Sequence, residues 1–299
     1  MINRLTIPPC LAREVTTGFS KNGLNKSAKI RPYSSFIDDI GIRIEGVLLP
    51  TGNKSKMKSW IAVFCSVMLS HGVWAEETAL PQKNLSEATY IRFESRGAQE
   101  KNLTLLLKAG AQRVKSTEPN TEVWFALTRE GNQFALFNAF TDTTGRAAHL
   151  NGQVITALKQ NSDRLIEGGW ENGVINHIQN STILVSNNDQ RDRLEQAQLA
   201  SYLTFKAIPG KEKEVDTLLQ KVVALVNRVE PNTLFWVALK NEDGSYSLFA
   251  AFSDMDAFNA HFSGVAVTTI QQNAPQLIQD GWDNGVMKNI KTYNVIASR

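Results

Sequence analysis

The residues best suited to do chemistry near neutral pH are two histidines in matching surroundings. His149 sits in Ala148-His149-Leu150-Asn151-Gly152, and His261 in Ala260-His261-Phe262-Ser263-Gly264. An imidazole titrates near pH 6.5, so it can take a proton from a phenolic hydroxyl. A histidine bonded to backbone, capping the fold, is the other reading, and the sequence leaves both open. Trp124 and Trp236 occupy strand positions whose chain neighbours point the opposite way. They are either an aromatic wall with an indole N–H as orienting donor, or packed core. Tyr90 and Tyr202 could project a hydroxyl into a cavity. Asn120 and Asn232 read as loop residues. Trp170-x-Asn172-Gly173 and Trp282-x-Asn284-Gly285 read as turns in which Asn-Gly takes positive φ. No His/Asp/Glu cluster has metal-ligand spacing, and no phosphate loop, serine elbow or dinucleotide fingerprint occurs, so no cofactor is expected.

These candidates recur at one offset because the chain repeats itself. Glu118-Pro119-Asn120-Thr121-Glu122-Val123-Trp124-Phe125-Ala126-Leu127 returns 112 residues later as Glu230-Pro231-Asn232-Thr233-Leu234-Phe235-Trp236-Val237-Ala238-Leu239. Such a period is too long for a solenoid and suits a duplicated domain. The repeats run over residues 88–185 and 200–297, with a polar linker at 186–199. Each copy reads β-α-β-β-α-β, an α+β, ferredoxin-like order. The first strands are Tyr90 to Glu94 and Tyr202 to Ala207. Leu103, Leu106, Leu107, Gly110 and Val114, or Val215, Leu218, Leu219, Val222 and Val226, line one helix face. Pro119 and Pro231 end that helix. Two strands then form a hairpin, Val123 to Leu127 with Phe134 to Phe140, and Leu234 to Leu239 with Tyr246 to Phe252. Asp142 and Asp254 stand where an N-cap belongs. A second helix is expected to follow, carrying Ala148, Val154 and Leu158 or Phe258, Phe262 and Ile270, with a further helical turn ending near Leu165-Ile166 and Leu277-Ile278. Val174 to Val185 and Val286 to Ala297 hold the last strand. The hairpin strands are apolar at nearly every position, so both faces of the sheet must be covered. Helices cover one face, and the other repeat is available for the second.

The chain of 299 residues is 42% hydrophobic and 20% charged, the balance of an ordinary globular protein. Residues 76–299 hold 22 Lys/Arg against 25 Asp/Glu. That part is mildly acidic, without a basic stripe, so nucleic acid is not an expected partner. Both cysteines, Cys10 and Cys65, precede residue 76, which excludes disulfides and thiolate chemistry from the repeats. Residues 1–56 show no sustained period and read as a disordered extension or as sequence upstream of the true start. Met57 to Ala75 reads as a secretory signal: Lys58, the apolar run Trp60 to Leu69, then Val73 and Ala75 before Glu76. The apolar run is about half the length that spans a bilayer. A secreted or periplasmic product with no stable membrane anchor after cleavage is therefore expected.

The combination Glu-Pro-Asn-Thr-x-x-Trp-x-Ala-Leu, Leu-Phe-x-Ala-Phe-x-Asp and Ala-His-(Leu/Phe)-x-Gly resembles the antibiotic biosynthesis monooxygenase (ABM) superfamily. The resemblance covers both repeats. It implies two ferredoxin-like units packed sheet against sheet as a dimeric α/β barrel, here within one chain, so that a monomer serves as a pseudo-dimer. It also implies a small aromatic substrate or ligand. Family enzymes oxidise hydroxylated polycyclic ketones or quinols with O₂ without metal or flavin; related barrels degrade haem or bind small ligands with no known chemistry. Two functions follow as expectations: a cofactor-independent monooxygenase with His149 or His261 as base, and a secreted, non-catalytic binding barrel.

Overall fold

The structure is a computed structural model that describes residues 84–130, 132–187 and 190–299. The expected extension, signal segment and cleavage point at residues 1–76 lie outside the described residues.

In the first repeat β1 (Glu87–Glu94) leads to helix α1 (Glu100–Thr117), then to the hairpin β2 (Thr121–Arg129) and β3 (Gln133–Phe140). Helices α2 (Thr143–Leu150), α3 (Gln153–Leu165) and α4 (Gly169–Gly173) follow, and β4 (Ile178–Ser186) closes the repeat. The second repeat has the same order: β5 (Leu199–Phe205), α5 (Glu212–Val229), β6 (Thr233–Asn241), β7 (Tyr246–Phe252), α6 (Met255–Ser263), α7 (Val265–Leu277), α8 (Gly281–Gly285) and β8 (Lys291–Ser298). Helices α1 and α5 stop just before Pro119 and Pro231, as the missing proline N–H requires. The Asp142 carboxylate accepts from the Gly145 N–H at 2.7 Å, and the Asp254 carboxylate from the Ala257 N–H at 2.8 Å, capping α2 and α6.

The eight strands close into one barrel in the order β1-β3-β2-β8-β5-β7-β6-β4. β4 pairs with β1 of its own repeat and with β6 of the other, while β8 pairs with β5 and β2. Each repeat thus lends its last strand to its neighbour's sheet, and no strand edge is left open. Matching register shifts fall at Ala126/Leu127 and Ile183/Val185, where the lent strands join.

Strand alternation sorts the side chains into two layers. Inside the barrel, Phe125, Phe137, Phe235 and Phe249 pack together; Phe137 and Phe249 stack at 4.0 Å between ring centroids. Burying each such ring is worth about 1.5–3 kcal/mol. Outside, α1 and α3 cover Ile91, Trp124, Ala126 and Leu136, and α5 and α7 cover Leu203, Trp236, Ala238 and Leu248. The two-sided burial read from the hairpins has this physical form.

Two local expectations are corrected. The single second helix is two helices in each repeat, broken at Asn151-Gly152 and at Gly264. The Trp-x-Asn-Gly segments are short helices, not turns, and positive φ occurs earlier, at Gly168, Gly169, Asp280 and Gly281.

Candidate functional site

His149 lies in the last turn of α2 and is 1% exposed; His261 lies in the last turn of α6 and is 5% exposed. Each is tied to the glutamate that opens the Glu-Pro-Asn-Thr motif. His149 Nδ1 is 2.5 Å from Glu118 Oε2, and His261 Nδ1 is 2.6 Å from Glu230 Oε2. The same carboxylate oxygens accept from Thr121 Oγ1 and Thr233 Oγ1. An ionised carboxylate only accepts, so each ring donates its Nδ1–H, and in the neutral imidazole the lone pair is on Nε2. That is the tautomer of a general base held in place by an acid.

Local sequence explains the geometry. The proline ends the preceding helix and turns the chain, leaving the glutamate beside the second helix. Gly152 then allows the close approach: a Cβ there would stand 2.8 Å from Glu118 Oε1 and 3.0 Å from the His149 carbonyl oxygen. The matching Cβ at Gly264 would stand 2.7 Å from the Ala260 carbonyl oxygen. The shared Ala-His-x-x-Gly spacing therefore places an imidazole and removes a side chain in one stroke. Surface clefts of about 180 Å³ beside His149 and about 300 Å³ beside His261 lie between this loop and the second helix.

The far side of each imidazole faces the layer between sheet and helices. The His149 ring lies 5.6 Å from the Phe140 ring, and the His261 ring 5.2 Å from that of Phe252. Trp124 and Trp236 belong to this layer, fully buried under the helices and outside the barrel. In the second repeat Trp236 and His261 line one small cavity with Ser201, Ala250, Phe262 and Trp282, of about 20 Å³, room for a single water.

The first repeat differs at that spot. Asn138 stands where the second repeat has Ala250, directly across from Thr89 on β1 and Trp124 on β2. Asn138 is completely buried, and both its amide atoms lack a hydrogen-bond partner. So do Trp124 Nε1 and His149 Nε2. Each such group left unpaired in a protein interior costs about 1–3 kcal/mol. Native interiors hold few of them, and each calls for a bound partner or a functional reason. Here one layer carries an N–H donor, an amide that both donates and accepts, and an imidazole lone pair.

Tyr90 and Tyr202 are not part of this constellation. They point into the barrel, on the opposite sheet face, and stack at 3.8 Å across the pseudo-twofold axis. The Tyr90 and Tyr293 hydroxyls are 2.5 Å apart, while the Tyr202 hydroxyl donates to Gln179 Oε1 at 3.1 Å and accepts from the Ser247 hydroxyl at 2.9 Å. Burial pushes the Tyr202 phenol up to about 12 and raises those of Tyr90 and Tyr293, so none is an acid or base near neutral pH. Strand alternation is the reason: Thr89, not Tyr90, shares the face of Trp124. Sequence reasoning missed Asn138 and gave Glu118 no role. The signal was present, since Asn138 is the one amide inside the apolar run Phe134 to Phe140. Among the described residues no group of three or more His, Cys, Asp or Glu side chains is placed to hold a metal ion.

Comparison with solved structures places this architecture. A proposed monooxygenase from Fusobacterium nucleatum superposes with a TM-score of 0.59 at 14% identity, over 72% of this chain and 93% of its own. One from Lactobacillus acidophilus gives 0.56 at 8% identity, over 71% and 93%. A Nitrosomonas europaea protein of unknown function is 33% identical over 35% of this chain and 94% of its own, with a TM-score of 0.31. No protein-family model and no curated protein matches the chain.

Proposed function

We propose that this chain, a tandem duplication of an antibiotic biosynthesis monooxygenase-like domain, oxidises a small quinol or phenolic aromatic with O₂ in the sheet–helix layer of its first repeat. The observation that carries the reading is the buried, unpartnered Nε2 of His149, in one layer with the unpartnered Trp124 Nε1 and Asn138 amide. In this reading His149 Nε2 takes the phenolic proton, and Glu118 steadies the imidazolium that results. Asn138 and Trp124 bond the substrate oxygens. The electron-rich phenolate then reacts with O₂. For a ring methylene oxidised to a carbonyl, the carbon loses two hydrogens and gains one oxygen atom. The other oxygen leaves as water, and the substrate supplies all four electrons.

The test is O₂ uptake by the purified protein with a panel of quinols and anthrones, without added metal or flavin. His149→Ala should lower the rate by about 10² to 10⁴, the usual worth of a general base. Asn138→Ala, which installs the residue of the second repeat, should raise KM. His261→Ala should leave the rate nearly unchanged, because Ala250 stands in its layer where the first repeat has Asn138. Full activity in His149→Ala would remove the mechanism. The closed second layer and the phenylalanine-filled barrel support the other reading, a binding barrel without chemistry. Saturable binding of a quinol with no O₂ uptake would establish that reading. Export belongs to the same proposal and rests on Met57 to Ala75 alone; protein from the native host should begin at Glu76 on N-terminal sequencing.

A further inference from the structure

The inner face of the barrel carries a charge asymmetry that the duplication exposes. Arg92, Arg129 and Lys291 occupy positions whose equivalents in the other repeat are Thr204, Asn241 and Gln179, all uncharged. Alternation from Tyr90, Leu127 and Tyr293, which lie inside, turns all three cations inward. β1 and β2 both run antiparallel to β3, and β8 runs antiparallel to β2. The ends of β1 and β2 and the start of β8 therefore meet at one mouth of the barrel. Arg92 and Arg129 come from the first repeat and Lys291 from the second, so the exchange of last strands gathers the three on one wall.

Two open clefts converge there. One, of about 400 Å³, is lined by Arg92, Lys291 and Tyr293; the other, of about 660 Å³, by Arg129 and the same Lys291. Lys206, Lys288 and His177 add positive or titratable groups at the rim. The acids facing the mouth are Glu94 and Glu167 in the first cleft and Asp280 in the second. Glu130 pairs with Arg129 at 3.0 Å. Among the described residues neither Arg92 nor Lys291 has an ion-pair partner. Lys291 is half-buried, and burial, then Arg92 and Arg129, hold its pKa below the usual lysine value. Arg92 and Lys291, without ion-pair partners, disfavour one another's charge and favour an anion between them. The floor adds a donor: of the paired Tyr90 and Tyr293 hydroxyls one donates to the other, and the acceptor's own proton remains to be given.

We infer that this mouth binds a small oxyanion, a carboxylate or phosphate, held by Arg92, Arg129 and Lys291 over the tyrosine pair. The site is on the opposite sheet face from His149 and stands whether or not that layer is catalytic. Calorimetric titration of the full-length protein with citrate, and separately with inorganic phosphate, at low ionic strength tests it. One of the two should bind 1:1 and weaken as salt is added; which one binds distinguishes carboxylate from phosphate. Lys291→Gln and Arg92→Thr, which install the residues of the other half, should each weaken binding at least tenfold. Lys291→Arg should retain it, and Lys108→Gln, on the exposed side of α1, should not change it. Arg92 is exposed, so its variant keeps the test valid if Lys291→Gln folds poorly. No binding of either anion at millimolar concentration, or equal binding by wild type, Lys291→Gln and Arg92→Thr, would overturn the site.

Discussion

The two nitrogens of the His149 imidazole differ: Nδ1 ties a loop to a helix, and the buried Nε2 has no hydrogen-bond partner. The first duty is measurable apart from any chemistry. Glu118→Ala leaves a buried Nδ1–H and the Thr121 hydroxyl without their acceptor. It should destabilise the protein by about 1–3 kcal/mol in a denaturant titration, the cost of an orphaned buried donor. Glu230→Ala should cost about the same, since its geometry repeats the first. A loss under about 0.5 kcal/mol in both would mean that the pairs hold nothing together. The barrel tyrosines give a second prediction. Their folded pKa values are raised, so the native state keeps protons that the unfolded chain releases from about pH 10. Their contribution is fully present below pH 10 and is lost as pH rises through the folded values, about 12 for Tyr202. Phenolate absorbance of the native protein should lag that of the denatured protein, and denaturant midpoints should fall between pH 9 and pH 11. Coincident titration curves would contradict this.

At the scale of elements, the order of strands and first helices was legible because apolar periodicity and proline punctuation act locally. The caps at Asp142 and Asp254 were legible for the same reason. The break between α2 and α3 was not, because Gly152 is there to admit Glu118, a residue 34 positions earlier. The Trp-x-Asn-Gly segments were misread because glycine served contact, not conformation. A Cβ on Gly173 would come within 2.2 Å of the Glu167 carbonyl oxygen, and one on Gly285 within 2.1 Å of that of Gln279. Backbone is the obstacle, so no rotamer change relieves it. Gly173→Ala and Gly285→Ala should each cost about 1–3 kcal/mol, the range of overpacked sites. Ala at Gly210, where a Cβ meets nothing within 4 Å, would test φ +84° alone. Chemical denaturation of the three variants separates the two reasons for glycine. If Gly173→Ala is as stable as wild type, the close approach is not a constraint. The placement of Asn138 beside Trp124, and of Tyr90 away from it, needed the strand register, which sequence alone did not supply.

At the scale of the whole molecule, the two repeats are joined twice: by chain through residues 187–198, and by strands through the β4–β6 and β2–β8 ladders. The second connection should suffice. Each repeat alone would expose its inner layer, including Phe125 and Phe137 or Phe235 and Phe249, so separation costs several buried rings at about 1.5–3 kcal/mol each. The chain connection mainly supplies effective concentration. A protease site inserted between Asn187 and Gln190 tests this. Asn187 itself must stay, because its side chain accepts from the Trp236 N–H at 2.5 Å and donates to the Thr233 carbonyl at 3.1 Å. Uncut, the protein should sediment as a monomer with a melting temperature independent of concentration. Once cut, the halves should co-elute as one 1:1 complex of unchanged size. The melting temperature should then rise with protein concentration, as it does for any two-chain assembly. Halves that separate at micromolar concentration would show that the linker, and not the exchanged strands, holds the barrel closed. An uncut protein that sediments only as a dimer would show instead that strands are exchanged between chains.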